Sequence, residues 1–183
     1  MEIGIGAQYD LTIEELLLLE GCLKKDRSKQ KELYYKYCDA MFTLAYRILN
    51  DRNEANDVLQ DAFVQVFQKI DQFRKQSTLG AWIKTIVIRA ALRSLKRQKL
   101  FDTFQEEKHD SIFISPNEID GKILEKVIFS LPAGYRTIFI LAEIEGYKHR
   151  EIAEMLNISE GTSKSQLFNA KKMLKDKLKH EWL

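Results

Sequence analysis

The sequence predicts an all-α protein made of two small helical domains joined by an acidic linker. Turn-forming residues are scarce, with two Pro and eight Gly in 183 residues, and this scarcity disfavours a sheet-rich fold. Apolar residues recur at helical spacing through most of the chain, whereas strand-like alternation is not seen. Acidic residues interrupt this pattern between positions 98 and 120. We therefore expect domains at 1–97 and 116–183, with residues 98–115 as the linker.

Four helices are expected in the first domain. Thr12 and Glu15 have the spacing of a capping box ahead of a leucine-rich stretch. Ser28 is expected to cap a long second helix, Asp51 a third, and a fourth should begin near Leu79. The third helix carries a continuous apolar stripe, which consists of Ala55, Val58, Leu59, Ala62, Phe63, Val66, Phe67 and Ile70.

Charge separates the predicted linker from the domains. Residues 98–120 hold six acids and two lysines, a net charge of −4. Ser115 and Pro116 supply a helix cap and a first helical residue, so a second helical domain is expected to begin there. Residues 1–97 carry 16 bases and 13 acids, and residues 121–183 carry 11 and 8. The overall charge of +2 thus conceals two basic domains, each at +3.

The fourth helix is expected to be strongly basic. No acid lies between Asp71 and Asp102, although this interval holds eight bases. Four of them share one helical face at spacing i, i+4, i+7 and i+8, namely Arg89, Arg93, Lys96 and Arg97. We expect this face to lie opposite a packing stripe that contains Trp82 and Ile86. Because unbalanced like charges repel, the face predicts a polyanionic partner rather than a merely solvated surface.

Residues 147–174 have the layout of a helix-turn-helix. Asn157 can end the first helix in a left-handed conformation, and Ser159 can cap the second. The second helix should pack through Leu167, Ala170 and Leu174. Its polar residues are then candidates for contact with the DNA major groove, where Gln and Asn can pair with adenine and Lys with guanine or phosphate. An ordinary helical hairpin with a solvated lysine face is the alternative for this segment alone.

Composition and spacing exclude several classes of function. With 31% charged residues and no long apolar run, the chain is expected to be a cytoplasmic protein without membrane insertion. Cys22 and Cys38 lack metal-type spacing, and His109, His149 and His180 are scattered. We find no pattern of a nucleophile, metal cluster or phosphate-binding glycine loop, so neither an enzyme nor a cofactor-binding protein is expected.

Five short motifs, two in the first domain and three in the second, carry a family resemblance. They are Asn-Asp-Val-Leu-Gln-Asp-Ala-Phe at 56–63, Thr-Leu-Gly-Ala-Trp-Ile at 78–83, Leu-Pro-x-x-Tyr-Arg-x-x-Phe at 131–139, Glu-Gly-Tyr at 145–147 and Glu-Ile-Ala at 151–153. Together they resemble bacterial sigma-70 family factors of the extracytoplasmic-function (ECF) type, which keep sigma regions 2 and 4. The resemblance covers about residues 20–180.

The resemblance implies partners and site residues for both domains. Core RNA polymerase would be bound through its β′ clamp helices and its β subunit, and the residues implied at the clamp helices are Asp57, Gln60 and Asp61. Acids and an amide suit arginine partners. The residues implied at the promoter minus-10 element are Arg74, Lys75, Thr78, Arg89, Arg93, Lys96 and Arg97. Those implied at the minus-35 element are Thr162, Lys164, Ser165, Gln166, Phe168, Asn169 and Lys171.

The chain departs from the family pattern at four places, and the first is Asn56, where the family commonly has Glu. Arg89 and Arg93 stand where the family usually has Asn and Asp, which makes the face more cationic. Lys148 stands where a capping Ser is frequent. Residues 163–166 read Ser-Lys-Ser-Gln, whereas many members have Val-Lys/Arg-Ser-Arg. The preferred minus-35 sequence is therefore expected to differ from the commonest one of the family.

The sequence thus predicts a sigma factor that binds core polymerase and directs promoter-specific initiation. Opening about ten base pairs costs on the order of 14 kcal/mol at ~1.4 kcal/mol per step, so the polymerase must share this work. Because the sequence has no catalytic motif, catalysis is also expected to belong to the polymerase. A conventional helix-turn-helix regulator that binds duplex DNA without polymerase is the alternative, and it predicts dimer symmetry and half-sites. An anti-sigma protein is a further candidate partner.

Overall fold

A computed structural model describes the backbone of residues 9–101 and 121–180, and all regular elements in these ranges are helical. The predicted all-α class is confirmed. The chain divides into two compact units, residues 1–94 and 95–183. Most of the predicted linker and the cap expected at Ser115 lie outside the described residues, so the limits of the linker stay predictions.

Four helices and a short 3₁₀ turn form the first part of the chain. Helix α1 spans Ile13–Leu23, α2 spans Arg27–Leu49, α3 spans Arg52–Lys69 and α4 spans Leu79–Phe101, and the 3₁₀ turn Ile70–Gln72 follows α3. The capping box of Thr12 and Glu15 is confirmed, because each accepts a hydrogen bond from the other's backbone N–H. Asp51 caps α3 as expected.

The cap predicted for α2 was wrong. Asp26 caps this helix, and Ser28 instead donates its backbone N–H to the Asp26 carboxylate at 2.8 Å. A carboxylate at the N-cap accepts from the free N–H groups and also complements the positive end of the helix dipole. The helix therefore begins two residues earlier than the serine would allow.

Packing of α2 against α3 forms the centre of the first unit. The buried residues of α2 include Leu33, Met41, Leu44, Ala45 and Ile48. Those of α3 are Ala55, Val58, Leu59, Ala62, Phe63 and Val66, so all but Phe67 and Ile70 of the predicted stripe lie within the helix's buried face. Ile70 is also buried, in the 3₁₀ turn, while Phe67 is half-buried.

The packing stripe predicted for α4 was also wrong. The buried face of α4 contains Leu79, Ile83, Val87, Ala91 and Ser94, whereas Trp82 and Ile86 are only half-buried. Spacing explains the error, since Trp82, Ile86, Arg89 and Arg93 follow one another at steps of four, three and four residues. These two apolar side chains therefore border the basic residues instead of lying opposite them.

The second unit contains α5 at Gly121–Phe129, α6 at Ala133–Phe139, α7 at His149–Leu156 and α8 at Glu160–His180. Helix α6 continues into a π-helical turn at Ile140–Ile144. Arg136 is buried and donates from one guanidinium nitrogen to the carbonyls of Phe129 and Leu131 at 3.3 and 2.9 Å. Burial lowers the pKa of Arg136, and its guanidinium bonds join the last residue of α5 to the turn that follows it.

The predicted helix-turn-helix is confirmed at its turn and in its packing. Asn157 ends α7 with φ of 54°, in the left-handed region that Asn tolerates better than most residues. The Ser159 hydroxyl accepts the backbone N–H of Thr162 at 2.9 Å. The buried residues of the two helices include Ile152, Ala153, Leu167, Ala170 and Leu174.

Two further observations concern the described residues as a whole. None of their helices is long and apolar enough to cross a membrane, and their His, Cys, Asp and Glu side chains form no group that could hold a metal ion. Both cysteines are free thiols. Cys22 is buried, and this burial raises its pKa to about 11.

We expect Asp51→Ala to lower the free energy of unfolding by about 1 kcal/mol, because the carboxylate that accepts from the N–H groups of Asn53 and Glu54 is lost. Urea denaturation followed by circular dichroism measures this. Asp51→Ser is the matched control, since its hydroxyl can still cap the helix. Equal stability of the alanine and serine variants would contradict the capping role.

Candidate functional site

The acidic face of α3 consists of Asp57, Gln60 and Asp61, and all three side chains are exposed. Their spacing places them together on the side of α3 that faces away from Val58 and Leu59. Among the described residues, neither carboxylate has an intramolecular ion pair. Two carboxylates and an amide are thus available to a basic partner, and the exposed Val64, 54% accessible, extends the face by one turn.

The basic face of α4 consists of Arg89, Arg93, Lys96 and Arg97, and all four side chains are exposed. Arg93 donates from Nη2 to the Gln65 side chain of α3 at 3.1 Å. On the buried side, the Ser94 hydroxyl donates to the Glu54 carboxylate at 2.6 Å. Two polar contacts therefore hold α4 against α3. The second places the Glu54 carboxylate of α3 next to α4, which has no acidic residue of its own.

Sequence reasoning missed Trp82 as a member of this surface. Its ring lies 5.5 Å from that of the buried Phe73, with an interplanar angle of 48°. Trp82 is half-buried, so part of its indole stays accessible on the same helical face as Arg89 and Arg93. The spacing of Trp82, Ile86, Arg89 and Arg93 was the signal that could have found it. Aromatic and cationic side chains on one face favour binding of single-stranded nucleic acid.

The loop between the 3₁₀ turn and α4 carries the other candidates for the minus-10 element. Arg74 and Thr78 are exposed, and Lys75 is half-buried. The Thr78 hydroxyl accepts the backbone N–H of Ala81 at 3.2 Å, so this residue also serves to begin α4. Lys75 adopts a left-handed conformation with φ of 55°. The candidate minus-10 residues of the loop and of α4 therefore all lie between positions 74 and 97 of the chain.

Both candidate lysines of α8 are held in intramolecular ion pairs. Lys164 contacts Glu160 at 2.7 Å, and Lys171 contacts Glu143 at 2.9 Å. The hydrogen bond and the charge of Lys164 lower the pKa of Glu160. All four groups are accessible to solvent, so these pairs contribute little to stability. They do place an acid beside each cation that was expected to contact DNA.

The remaining candidates of α8 differ in their availability. Phe168 is 70% exposed and Asn169 is also exposed. Gln166 is half-buried, and its side-chain oxygen lies 3.8 Å from the position that a β-carbon on Gly134 would occupy. The hydroxyls of Thr162 and Ser165 both make local bonds, to Ser159 and to the Thr162 carbonyl. Phe168 and Asn169 are thus the side chains freest to reach a base edge.

Ser163 has a structural role that the sequence did not indicate. It is 0% exposed, and its hydroxyl lies 2.9 Å from Nδ1 of His149 at the start of α7. The Ser163 side chain is therefore not available for direct contact with DNA. The contact instead joins α7 to α8, so the role of this unusual serine is to hold the two helices of the helix-turn-helix together.

Comparison with known proteins connects these surfaces to one family. Residues 33–101 match the model of Sigma-70 region 2, and residues 122–174 match that of Sigma-70, region 4. The chain belongs to the sigma-70 family. It is a sigma factor of the ECF type, which acts in transcription initiation. The match to region 2 decides against a conventional helix-turn-helix regulator, since such a regulator has no sigma region 2.

Curated relatives match this sigma factor over most of their length. The ECF RNA polymerase sigma-E factor of Haemophilus influenzae is 27% identical, over 88% of this chain and 93% of that protein. The RNA polymerase sigma-H factor of Pseudomonas aeruginosa is 29% identical, over 86% of this chain and 90% of that protein. The agreement extends across both regions in each case.

Two solved structures share the fold. The sigma factor RpoE from Bartonella quintana, in complex with the anti-sigma factor NepR, has a TM-score of 0.59 and 25% identity, and the match covers 81% of this chain and 96% of that one. CnrH, in complex with the cytosolic domain of CnrY, has a TM-score of 0.55 and 18% identity, covering 91% of this chain and 98% of that one. The second likeness concerns the fold alone.

Glu160→Gln is expected to strengthen binding to duplex minus-35 DNA, because it releases Lys164 and removes a negative charge near a polyanion. Lys164→Ala is expected to reduce the salt slope of binding by about 1 if Lys164 contacts a phosphate. Fluorescence anisotropy over a series of salt concentrations measures both effects.

Glu32→Gln is the matched control for this charge change, since Glu32 also pairs with a lysine, Lys29, but lies in the other unit. A sequence-dependent loss for Lys164→Ala with an unchanged slope would indicate base contact rather than phosphate contact. Unchanged binding by Glu160→Gln would contradict the competition between acid and DNA.

Proposed function

We propose that this sigma factor uses α3 to bind core polymerase, α4 with its preceding loop to bind the opened minus-10 strand, and α8 to bind minus-35 DNA. The observation that carries this proposal is that neighbouring helices of the first unit expose opposite charges. The acidic face of α3 suits a basic protein, whereas the arginines of α4 suit a polyanion. Two different partners are therefore expected to bind neighbouring parts of the unit.

Core polymerase would be bound through the β′ clamp helices at Asp57, Gln60 and Asp61, with the β subunit as a further contact of the core enzyme. Carboxylates accept paired hydrogen bonds from arginine, which is a stronger contact than one between neutral groups. The two carboxylates make no ion pair within the described residues, so binding does not first have to break one. Val64 would contribute an apolar contact at the end of the same face.

At the minus-10 element, Arg89, Arg93, Lys96 and Arg97 would hold the phosphate backbone while Arg74, Lys75 and Thr78 lie beside the unstacked bases. Trp82 offers a stacking surface, worth ~1–3 kcal/mol for each stacked base. Opening about ten base pairs costs on the order of 14 kcal/mol. One domain cannot supply this free energy, so we assign promoter melting to the complex of the sigma factor with polymerase. We also assign all catalysis to the polymerase.

At the minus-35 element, α8 would lie in the major groove. Asn169 can pair with adenine, and Phe168 can contact the methyl group of thymine. Lys164 and Lys171 would contact phosphate or guanine after leaving their acidic partners, and Thr162, Ser165 and Gln166 would border the contact. Because a protein of this function meets its polymerase in the cytoplasm, we place it there.

An anti-sigma protein is a further proposed partner. Its support is the RpoE structure, in which a similar sigma factor is bound to the anti-sigma factor NepR. Co-purification with this chain, followed by loss of core binding, would establish such a partner.

Run-off transcription with core polymerase tests the proposed function. Promoter fragments are first enriched from genomic DNA by the holoenzyme, and transcripts are then compared with and without this chain. Asp57→Ala with Asp61→Ala should weaken core binding by at least about tenfold, given that hydrogen bonds to charged groups are worth ~1.5–3 kcal/mol. Glu20→Ala with Asp39→Ala removes the same charge from α1 and α2 and is the control. Absence of both core binding and promoter-specific transcripts would refute the proposal.

Arg89→Ala with Arg93→Ala should weaken open-complex formation more than duplex minus-35 binding, because the basic face acts on the opened strand. Permanganate footprinting of unpaired thymines measures the bubble. Lys24→Ala with Arg27→Ala removes two exposed charges near the start of α2 and controls for net charge. Unchanged permanganate reactivity in the α4 variant would contradict the role of this face.

A further inference from the structure

A main-chain hydrogen bond joins the segment ahead of α1 to the loop ahead of α4. The backbone N–H of Tyr9 donates to the carbonyl of Lys75 at 2.8 Å. Tyr9 precedes α1, whereas Lys75 follows α3 and the 3₁₀ turn. The bond therefore joins two residues that are separated in the chain by three helices. The acceptor belongs to the loop that carries Arg74, Lys75 and Thr78.

The backbone at Lys75 is unusual. Four described residues other than glycine have a positive φ, and they are Lys25, Asn50, Lys75 and Asn157. Lys25, Asn50 and Asn157 lie just beyond the ends of α1, α2 and α7, where a left-handed residue commonly closes a helix. Lys75 stands apart from any helix end, and its side chain makes this conformation unfavourable. Such strain persists only where the surrounding structure holds it.

Both ends of the loop are anchored by the elements next to them. At one end Phe73 donates its backbone N–H to the Ile70 carbonyl at 3.3 Å, and at the other Trp82 donates to the Thr78 carbonyl at 3.1 Å. Between these ends, the one main-chain hydrogen bond made by residues 74–77 within the described part of the chain is that from Tyr9. The strained residue is thus held at the middle of the loop by a distant segment.

We infer that Tyr9 is a positioning residue of the minus-10 site: its N–H keeps Lys75 left-handed and so places Arg74, Lys75 and Thr78 for the unstacked strand. The inference rests on the proposed function of this loop. Its physical basis is preorganisation, since a loop already in its binding conformation loses less entropy on binding. Tyr9 thereby supports the promoter-binding surface without contacting DNA itself.

Tyr9→Pro and Tyr9→Ala separate the main-chain effect from that of the ring. Both variants lose the ring, but only proline removes the N–H. The holoenzyme is tested on the single-stranded oligonucleotide that the wild type enriches most from a randomised pool. Tyr9→Pro should weaken this binding by about threefold to tenfold, the range expected for one hydrogen bond. Tyr9→Ala should stay within about twofold of the wild type.

Core binding and duplex minus-35 binding should be unchanged in both variants, because neither of these two binding activities uses the loop at residues 74–78. Equal losses for Tyr9→Pro and Tyr9→Ala would overturn the inference, as would wild-type affinity in Tyr9→Pro. A parallel loss of core binding would also overturn it by indicating general damage. Failure of the wild-type holoenzyme to bind any oligonucleotide would instead refute the proposed function of the loop, and the inference with it.

A rescue variant tests whether the Tyr9 N–H acts by holding residue 75 in its left-handed conformation. Lys75→Asn introduces a residue that tolerates the left-handed conformation. In that background Tyr9→Pro should cause a smaller loss than it does beside lysine, and an undiminished loss would contradict the positioning role. Hydrogen exchange supplies a direct readout, because the Tyr9 amide should be protected in the wild type. Exchange of this amide at the unprotected rate would contradict the bond itself.

Discussion

Burial of the apolar face of α3 is the constraint on which the first unit depends. A helix that buries Ala55, Val58, Leu59 and Ala62 must expose the residues between them, and in this chain those residues include Asp57, Gln60 and Asp61. The same helix anchors α4, through Gln65 to Arg93 and Glu54 to Ser94. Core packing therefore determines where both charged faces lie. A change that rotated α3 would displace the acidic face and the anchors of the basic face together.

In the second unit, the end of α7 and the start of α8 determine which residues are exposed. Asn157 stops α7 in a left-handed conformation, and Ser159 starts α8 two residues later. Because this turn is short, the burial of Leu167 and Ala170 determines which residues of α8 stay accessible. The contact between His149 and Ser163 then joins the two helices at their crossing. Phe168 and Asn169 are exposed as a result of this packing.

Local sequence patterns predicted some features well and others poorly, and the particular residues show why. Caps at Thr12, Asp51 and Ser159 depend on residues within three positions of one another, so their spacing sufficed. The same reasoning failed at α2, where Asp26 caps the helix in place of the predicted Ser28. For α4, choosing Trp82 and Ile86 as the packing stripe misjudged which of two apolar rows on the helix is buried.

By itself, the sequence determined the all-α class, the helix-turn-helix and the membership of the sigma-70 family, because periodicity, caps and short motifs are encoded by neighbouring residues. Only the tertiary structure decided the contacts between distant residues. These include the ion pair of Lys171 with Glu143, the burial of Ser163 against His149 and the bond from Tyr9 to Lys75. Each depends on how helices are placed in space, and a residue's helical position does not reveal which distant residue will lie beside it.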